Sequence, residues 1–416
     1  MELMTHLLLL VTLARLLGAV AKSLGYLEII GEIVAGLLLG PAILNIVHTS
    51  EELSGIVELG VFLLIFSAGL EMELHEIINA LKRQSLLIAA CGFFIPLIAG
   101  VGVGSAFQLG FLQSVCIGLC MAITALPVVI RFLSSANILD TEIGHNIIGA
   151  AIIIDVAALL VLGIVFDTSQ IKGFFDLVST VGSTGLKMIA FFAVILTVNK
   201  LLRSEIGAVQ RTEKAFQKLI EKVGEEAIFG LGVFFVMVFA TISESLGFHF
   251  IIGAFFGGLL LNKDIIGNDY FKIMSHNLES ISNGFLTPVF FAYIGLRFST
   301  EAFDQIGLAV LILLAGYLFK MLGAYAGAQV AGFEHEDSLK IGIMLNSRGV
   351  LDLVVADLAF ERGYINSTVF SILVVLGIST VIVNPIMYQS LIKSTSKKSK
   401  TDEEETENTS SEGVTT

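Results

Sequence analysis

Stretches of about 17–25 predominantly apolar residues recur along nearly the whole chain, and that length crosses roughly 30 Å of hydrocarbon as a helix. A soluble fold built from such segments would have no polar surface to show to water. Of 416 residues, 55% are hydrophobic and 15% charged, and the mean hydropathy is +0.88. A soluble domain of this length carries far more charge. The expected fold is therefore all-α and polytopic, set in membrane lipid.

About 13 spans are expected, near 3–22, 27–46, 54–72, 84–108, 111–136, 143–166, 184–202, 224–246, 248–262, 281–297, 305–330, 337–360 and 367–391. The first run, Leu7 to Val20, carries Arg15 and no small-residue cleavage site, so it reads as a span and not a removable signal peptide. The half-apolar stretch 171–186 either lengthens the seventh span or lies along the surface. Segment 203–223 is polar and helical in pattern, a cytoplasmic connector between two halves. From Lys393 the chain turns basic (Lys397, Lys398, Lys400), then acidic (Asp402 to Glu407). This stretch, 393–416, is expected to be a disordered cytoplasmic tail after a membrane domain of residues 1–392, with no soluble nucleotide-binding domain behind it.

Loop charge sets the orientation. With the N-terminus outside, inside loops and tail hold roughly 17 Lys and Arg and outside loops about three, as the positive-inside rule requires. The expected location is the plasma membrane, with the C-terminus in the cytoplasm. The net charge of −13 opposes a nucleic-acid partner. Cys91, Cys116 and Cys120 lie in apolar segments without a CxxC spacing and read as packing residues. The seven histidines scatter among loops and span ends.

The two halves resemble each other. Gly31–Leu39 (GEIVAGLLL) recurs as Gly253–Leu261 (GAFFGGLLL), 222 residues later. The following segments end Gly69-Leu70-Glu71 and Gly295-Leu296-Arg297. An odd span count with this offset sets matching spans in opposite directions, the inverted-repeat signature of many secondary transporters. The repeats fall near 27–166 and 248–391.

The same offset carries Thr124 onto Asn346, and both sites look like helix interruptions. Pro127 removes a backbone donor and clashes with the carbonyl four residues back. Asn346, Ser347 and Gly349 are poor mid-helix residues. Unwound backbone at membrane depth is tolerated beside protein or a water-filled cavity, where half-helix ends and carbonyls can serve an ion.

Ionisable groups within spans cost at least about 2.5–3.5 kcal/mol at the bilayer centre. The candidates are Glu32, Glu71, Asp155, Glu244, Lys320, Arg348 and Asp352. Asp155 is the most isolated, with Ala150–Ile154 before it and Val156–Leu160 after it. A carboxylate so poorly solvated suits a carrier that holds a proton and a cation in turn. Lys320 either pairs with Asp155 or acts as structural glue. Arg348 either neutralises Asp352 four residues on or pins the second break through its fork of donors. Glu71, at a span end, suits an access funnel or a hydrogen-bonding role. Glu32 and Glu244 lie in Gly-rich or polar helix surroundings.

These residues resemble the membrane domain of the monovalent cation:proton antiporters, the branch with Kef-type potassium and Nap-type sodium exchangers. The resemblance covers about residues 5–392 and rests on an ordered set: Gly31-Glu32 with Gly36 and Gly40-Pro41, Glu58 through Glu71, Thr124-Ala125 with Pro127, and Ala150-Ala151 with Asp155. Gly253-Ala254-Phe255, Lys320 with Gly323, and Asn346 with Arg348-Gly349 complete it. It implies 13 helices, a core with two crossed, broken helices, a separate dimerisation domain and a homodimer. By position, Asp155 resembles the aspartate that binds cation and proton, Thr124 the unwound-segment residue beside it, and Lys320 the basic residue before the second broken helix.

One position departs. Where electrogenic members place a second acid before the aspartate, this chain has Ile154. One carboxylate swapping one proton for one cation is electroneutral, and proton release from Lys320 would add a second, so both stoichiometries stay open. Ala151 offers no hydroxyl to Asp155, and sodium and potassium both stay open. The expected function is exchange of Na+ or K+ for H+ by alternating access, with no enzyme activity and no cofactor. The rivals are a gated Kef-type potassium efflux pathway, needing a separate regulatory subunit, and a sodium-coupled symporter of organic anions.

Overall fold

The computed structural model describes residues 2–72, 82–136, 138–167, 174–203, 226–261 and 263–412, and the expected connector at 203–223 lies outside them apart from Arg203. The described residues are helical, without strands. The first half comprises α1 (Glu2–Ser23), α2 (Glu28–Leu39), α3 (Glu51–Leu70), α4 (Arg83–Ala106), the half-helices α5 (Phe111–Ala122) and α6 (Leu126–Ser135), and α7 (Glu142–Asp167). Next comes α8 (Phe174–Arg203), one continuous helix, so the stretch after residue 173 lengthens the seventh span. The second half comprises α9 (Glu226–Ser245), α10 (Phe250–Leu260), α11 (Asn268–Ile281), a π-helical turn (Ser282–Leu286) and α12 (Thr287–Leu296). It continues with α13 (Ile306–Ala331), the half-helices α14 (His335–Leu345) and α15 (Val350–Glu361), and α16 (Ser367–Glu412).

Nine spans among the described residues are long and apolar enough to cross a membrane, the broken pair α5–α6 counting as one. The expected spans 27–46, 248–262, 281–297 and 337–360 appear as the short α2, α10 and α12 and the broken α14–α15. The Gly40-Pro41 pair ends α2 early, because proline cannot extend the ladder. The backbone of α16 runs on to Glu412, through the charged stretch expected to be disordered. Lys and Glu are good helix formers, and polarity alone does not stop a helix already begun.

Packing falls into two groups. One holds α1–α3 and α9–α12, the other α4–α7 and α13–α16. Close glycine contacts tie the first group together. A Cβ on Gly36 would strike the Ala292 carbonyl, and one on Gly295 that of Ile33. Likewise a Cβ on Gly69 would strike the Phe255 carbonyl, and one on Gly258 would come within 2.6 Å of that of Phe66. The contact of α2 with α12 thus has its counterpart in the contact of α10 with α3, each glycine mapping onto its repeat partner. In the second group, a Cβ on Gly323 would lie 2.7 Å from the Cys91 carbonyl, and one on Gly327 2.7 Å from Leu87 O. Numbers rise along α13 as they fall along α4, so these repeat counterparts run antiparallel.

Candidate ion-binding site

Both expected interruptions are present, and they cross. Pro127 sits in the first turn of α6, and the preceding Ile123 and Ala125 are extended. The second break spans Asn346–Gly349. The two interrupted segments bond to each other: Ala125 N–H donates to the Ser347 carbonyl at 2.9 Å, and the Thr124 hydroxyl to the Leu345 carbonyl at 3.0 Å. Thr124 and Asn346, linked in sequence only by the repeat offset, thus lie on the two strands of one crossing.

A broken helix exposes carbonyls at its end, with partial negative charge. At the end of α5 these are met by two cations. Arg348 donates to the carbonyls of Cys120, Met121 (2.9 Å) and, on α13, Gly316 (3.2 Å). Lys320 donates to the carbonyls of Ala122 and Gly92, the latter at 3.0 Å. Both side chains are fully buried. Arg348 thus reaches from the second break, which it was expected to pin, to the carbonyl end of the first, and among the described residues no ion pair joins it to Asp352. That carboxylate instead accepts from Gly349 N–H at 2.7 Å, capping α15.

Asp155 projects from α7 and is 6% exposed. The Leu126 N–H at the start of α6 interacts with its carboxyl, so Asp155 meets a positive helix end. Its Oδ1 is buried with no hydrogen-bond partner. Lys320 acts on it electrostatically, yet no ion pair joins the two among the described residues. Ile154, where an acid was absent, is fully buried, its Cδ1 3.7 Å from where a Cβ on Gly92 would stand. With no carboxylate at that position, Lys320 is held by backbone oxygens.

Asn346 donates to Asn384 Oδ1 of α16 at 3.3 Å, leaving Asn346 Oδ1 and Asn384 Nδ2 unpartnered. Asn384 was not anticipated; its one sequence signal is a lone asparagine before Pro385 in an apolar helix. Glu71 caps the end of α3, exposed, with no bond among the described residues to Asp155 or the crossing.

The interface between the two packing groups differs at its ends. At the N-terminal end of α12 lies a cavity of about 690 Å³, lined by Arg15, Glu28, Glu32, Glu279, Thr287 and, near the crossing, Val350. Asp155 is not in its lining. At the C-terminal end of α12, Arg297 binds Asp357 (2.7 Å) and Glu361 (2.9 Å) of α15 and the Tyr293 hydroxyl (2.6 Å). Its guanidinium stands 4.3 Å from the Tyr293 ring centre, so the contact ties α12 to α15 at this end. Asp357 also went unanticipated, although three acids recur along α15.

Together, the bundle and its crossed half-helices define a multi-pass membrane transporter with an ionisable group at the crossing. The chain belongs to the sodium/hydrogen exchanger transmembrane family, whose profile matches residues 8–393. It is 26% identical to a Na+/H+ antiporter of Enterococcus hirae, over 93% of this chain and 97% of that protein. It is 28% identical to the Na+/H+-K+ antiporter GerN of Bacillus cereus, over 90% of this chain and 92% of that one. Its fold matches the sodium proton antiporter MjNhaP1 of Methanocaldococcus jannaschii at a TM-score of 0.68 and 17% identity, over 94% and 98% of the two chains.

Proposed function

We propose that this chain exchanges Na+ or K+ for H+ across the plasma membrane, with Asp155 holding proton and cation in turn. The observation that carries the reading is the Asp155 carboxyl, buried beside the positive end of α6 with one oxygen unpartnered. A buried carboxylate needs a counter-charge. Lys320 and Arg348 are engaged by backbone carbonyls, so neither locks it in an ion pair. A proton or a partly dehydrated cation can complete it, and one carboxylate cannot hold both tightly. Competition then enforces exchange, driven by the ion gradients without a bound cofactor. Thr124 and nearby backbone carbonyls of the crossing would supply further oxygens.

Alternating access between inverted halves is the accompanying motion. The unequal ends of α12 support it: one opens on a cavity that Val350 helps line, the other carries the ion pairs of Arg297 with Asp357 and Glu361. Sliding the second packing group against the first would open one end as it closes the other. The names of the relatives favour sodium and allow potassium. The N-terminus lies outside and the C-terminus inside by loop charge. The homodimer rests on the family resemblance, and a separate regulatory subunit belongs to the rival efflux reading.

The test is a reconstituted vesicle with a pH dye. Added Na+ or K+ dissipates an imposed proton gradient, and Asp155→Asn abolishes this while the protein stays folded. Full exchange by the variant sinks the assignment.

A further inference from the structure

We propose that Glu32 and Thr287 form a second monovalent-cation site in the cavity at the N-terminal end of α12, apart from Asp155. The inference deepens the exchange reading, although its first measurement needs no transport.

Glu32 lies on α2, its side chain 3% exposed, and it lines the cavity. Its Oε2 has no hydrogen-bond partner. The nearest base, Arg15, stands 3.9 Å from Oε1, too far for a hydrogen bond. Arg15 Nη1 bonds instead to Glu28 Oε2 at 3.2 Å and the Asn283 carbonyl at 3.1 Å. Lys22 also bonds to Glu28. Two bases thus bond to Glu28, while Glu32, the deeper carboxylate, keeps a long ion pair with Arg15 and an Oε2 without a hydrogen-bond partner.

The facing wall supplies oxygens. Helices α2 and α12 run parallel in contact, with Gly36 against Ala292 and Gly40 against Leu296. Continuing that register brings Glu32 level with Thr287 and Pro288. The Thr287 hydroxyl is buried and unpartnered, and it lines the same cavity. Pro288 has no N–H to offer the Gly284 carbonyl four residues back, and Gly284 lines the cavity too. The π-helical turn Ser282–Leu286 stands here, a feature frequent at functional sites. Carboxylate, hydroxyl and carbonyl oxygens are hard ligands suited to an alkali cation. A water takes roughly 30 Å³, so the cavity also holds the ion's remaining hydration.

An ion resting here would stand on the cavity side of Val350, ahead of the crossing, and raise cation supply to Asp155. The test is equilibrium binding of thallous ion, a monovalent probe, to purified Asp155→Asn protein, with thermal unfolding as the folding control. Binding should persist, weaken roughly tenfold with added Glu32→Gln (about 1.4 kcal/mol), weaken less with Thr287→Val, and recover with Glu32→Asp. With Asp155 intact, Glu32→Gln should raise KM for the cation on the cavity side several-fold and leave kcat nearly unchanged. Binding lost with Asp155 alone, or unmoved by both Glu32→Gln and Thr287→Val, overturns the proposal. Glu32-dependent binding in a protein that exchanges nothing would uphold this site and sink the antiport reading instead.

Discussion

The two helix interruptions meet one problem with different chemistry. At the first, the carbonyl end of α5 receives two buried cations, Arg348 and Lys320. At the second, the Leu345 carbonyl of α14 receives the neutral Thr124 hydroxyl, and Asn346 faces Asn384 through neutral amides. The halves share backbone geometry and not charge. Positive charge gathers at one break, donated to carbonyls and so unable to neutralise Asp155 outright. The Asp155 carboxyl itself stays buried with one oxygen unpartnered.

That contrast can be broken by substitution. The largest effect is expected for Arg348→Met, which strips donors from three buried carbonyls. A loss of about 3 kcal/mol or more follows, seen as a lower unfolding midpoint in detergent together with lost exchange. Lys320→Met removes donors from two carbonyls, and about 2 kcal/mol should go. Exchange in voltage-clamped vesicles then reports whether this lysine carries charge: unchanged charge per cation would assign it a purely structural part. Thr124→Val should cost only about 1 kcal/mol, the worth of one neutral hydrogen bond, with Thr124→Ser restoring both stability and rate. If Thr124→Val destabilises as much as Arg348→Met, the two breaks are equivalent and the contrast fails.

Much of the site could be read from local signals. Pro127 and the Asn-Ser-Arg-Gly run disfavour a continuing helix, and their shared repeat offset sets Pro127 apart from Pro96 and Pro385, which lie inside continuous helices, so the interruptions were legible. Asp155 stood out because its own helix offers it no polar neighbour. The repeat offset brought Thr124 and Asn346 into correspondence and left their contact unseen. The acceptors of Lys320 and Arg348 were illegible, because backbone carbonyls have no sequence signature. Asn384 and Asp357 escaped notice because their partners, Asn346 and Arg297, lie 38 and 60 residues away. The disordered tail was expected from polarity, and the continuous helix to Glu412 shows how little polarity says about backbone conformation.

The sequence alone determined a helical membrane bundle in two related halves, broken at two places, with one solitary acid in mid-helix. Those are consequences of apolar length and residue type, which act along the chain. Tertiary structure decided which carbonyls the cations cap, which end of α12 opens on a cavity, and which oxygens are left without partners. Those depend on groups hundreds of residues apart meeting within about 3 Å, a register set by packing alone.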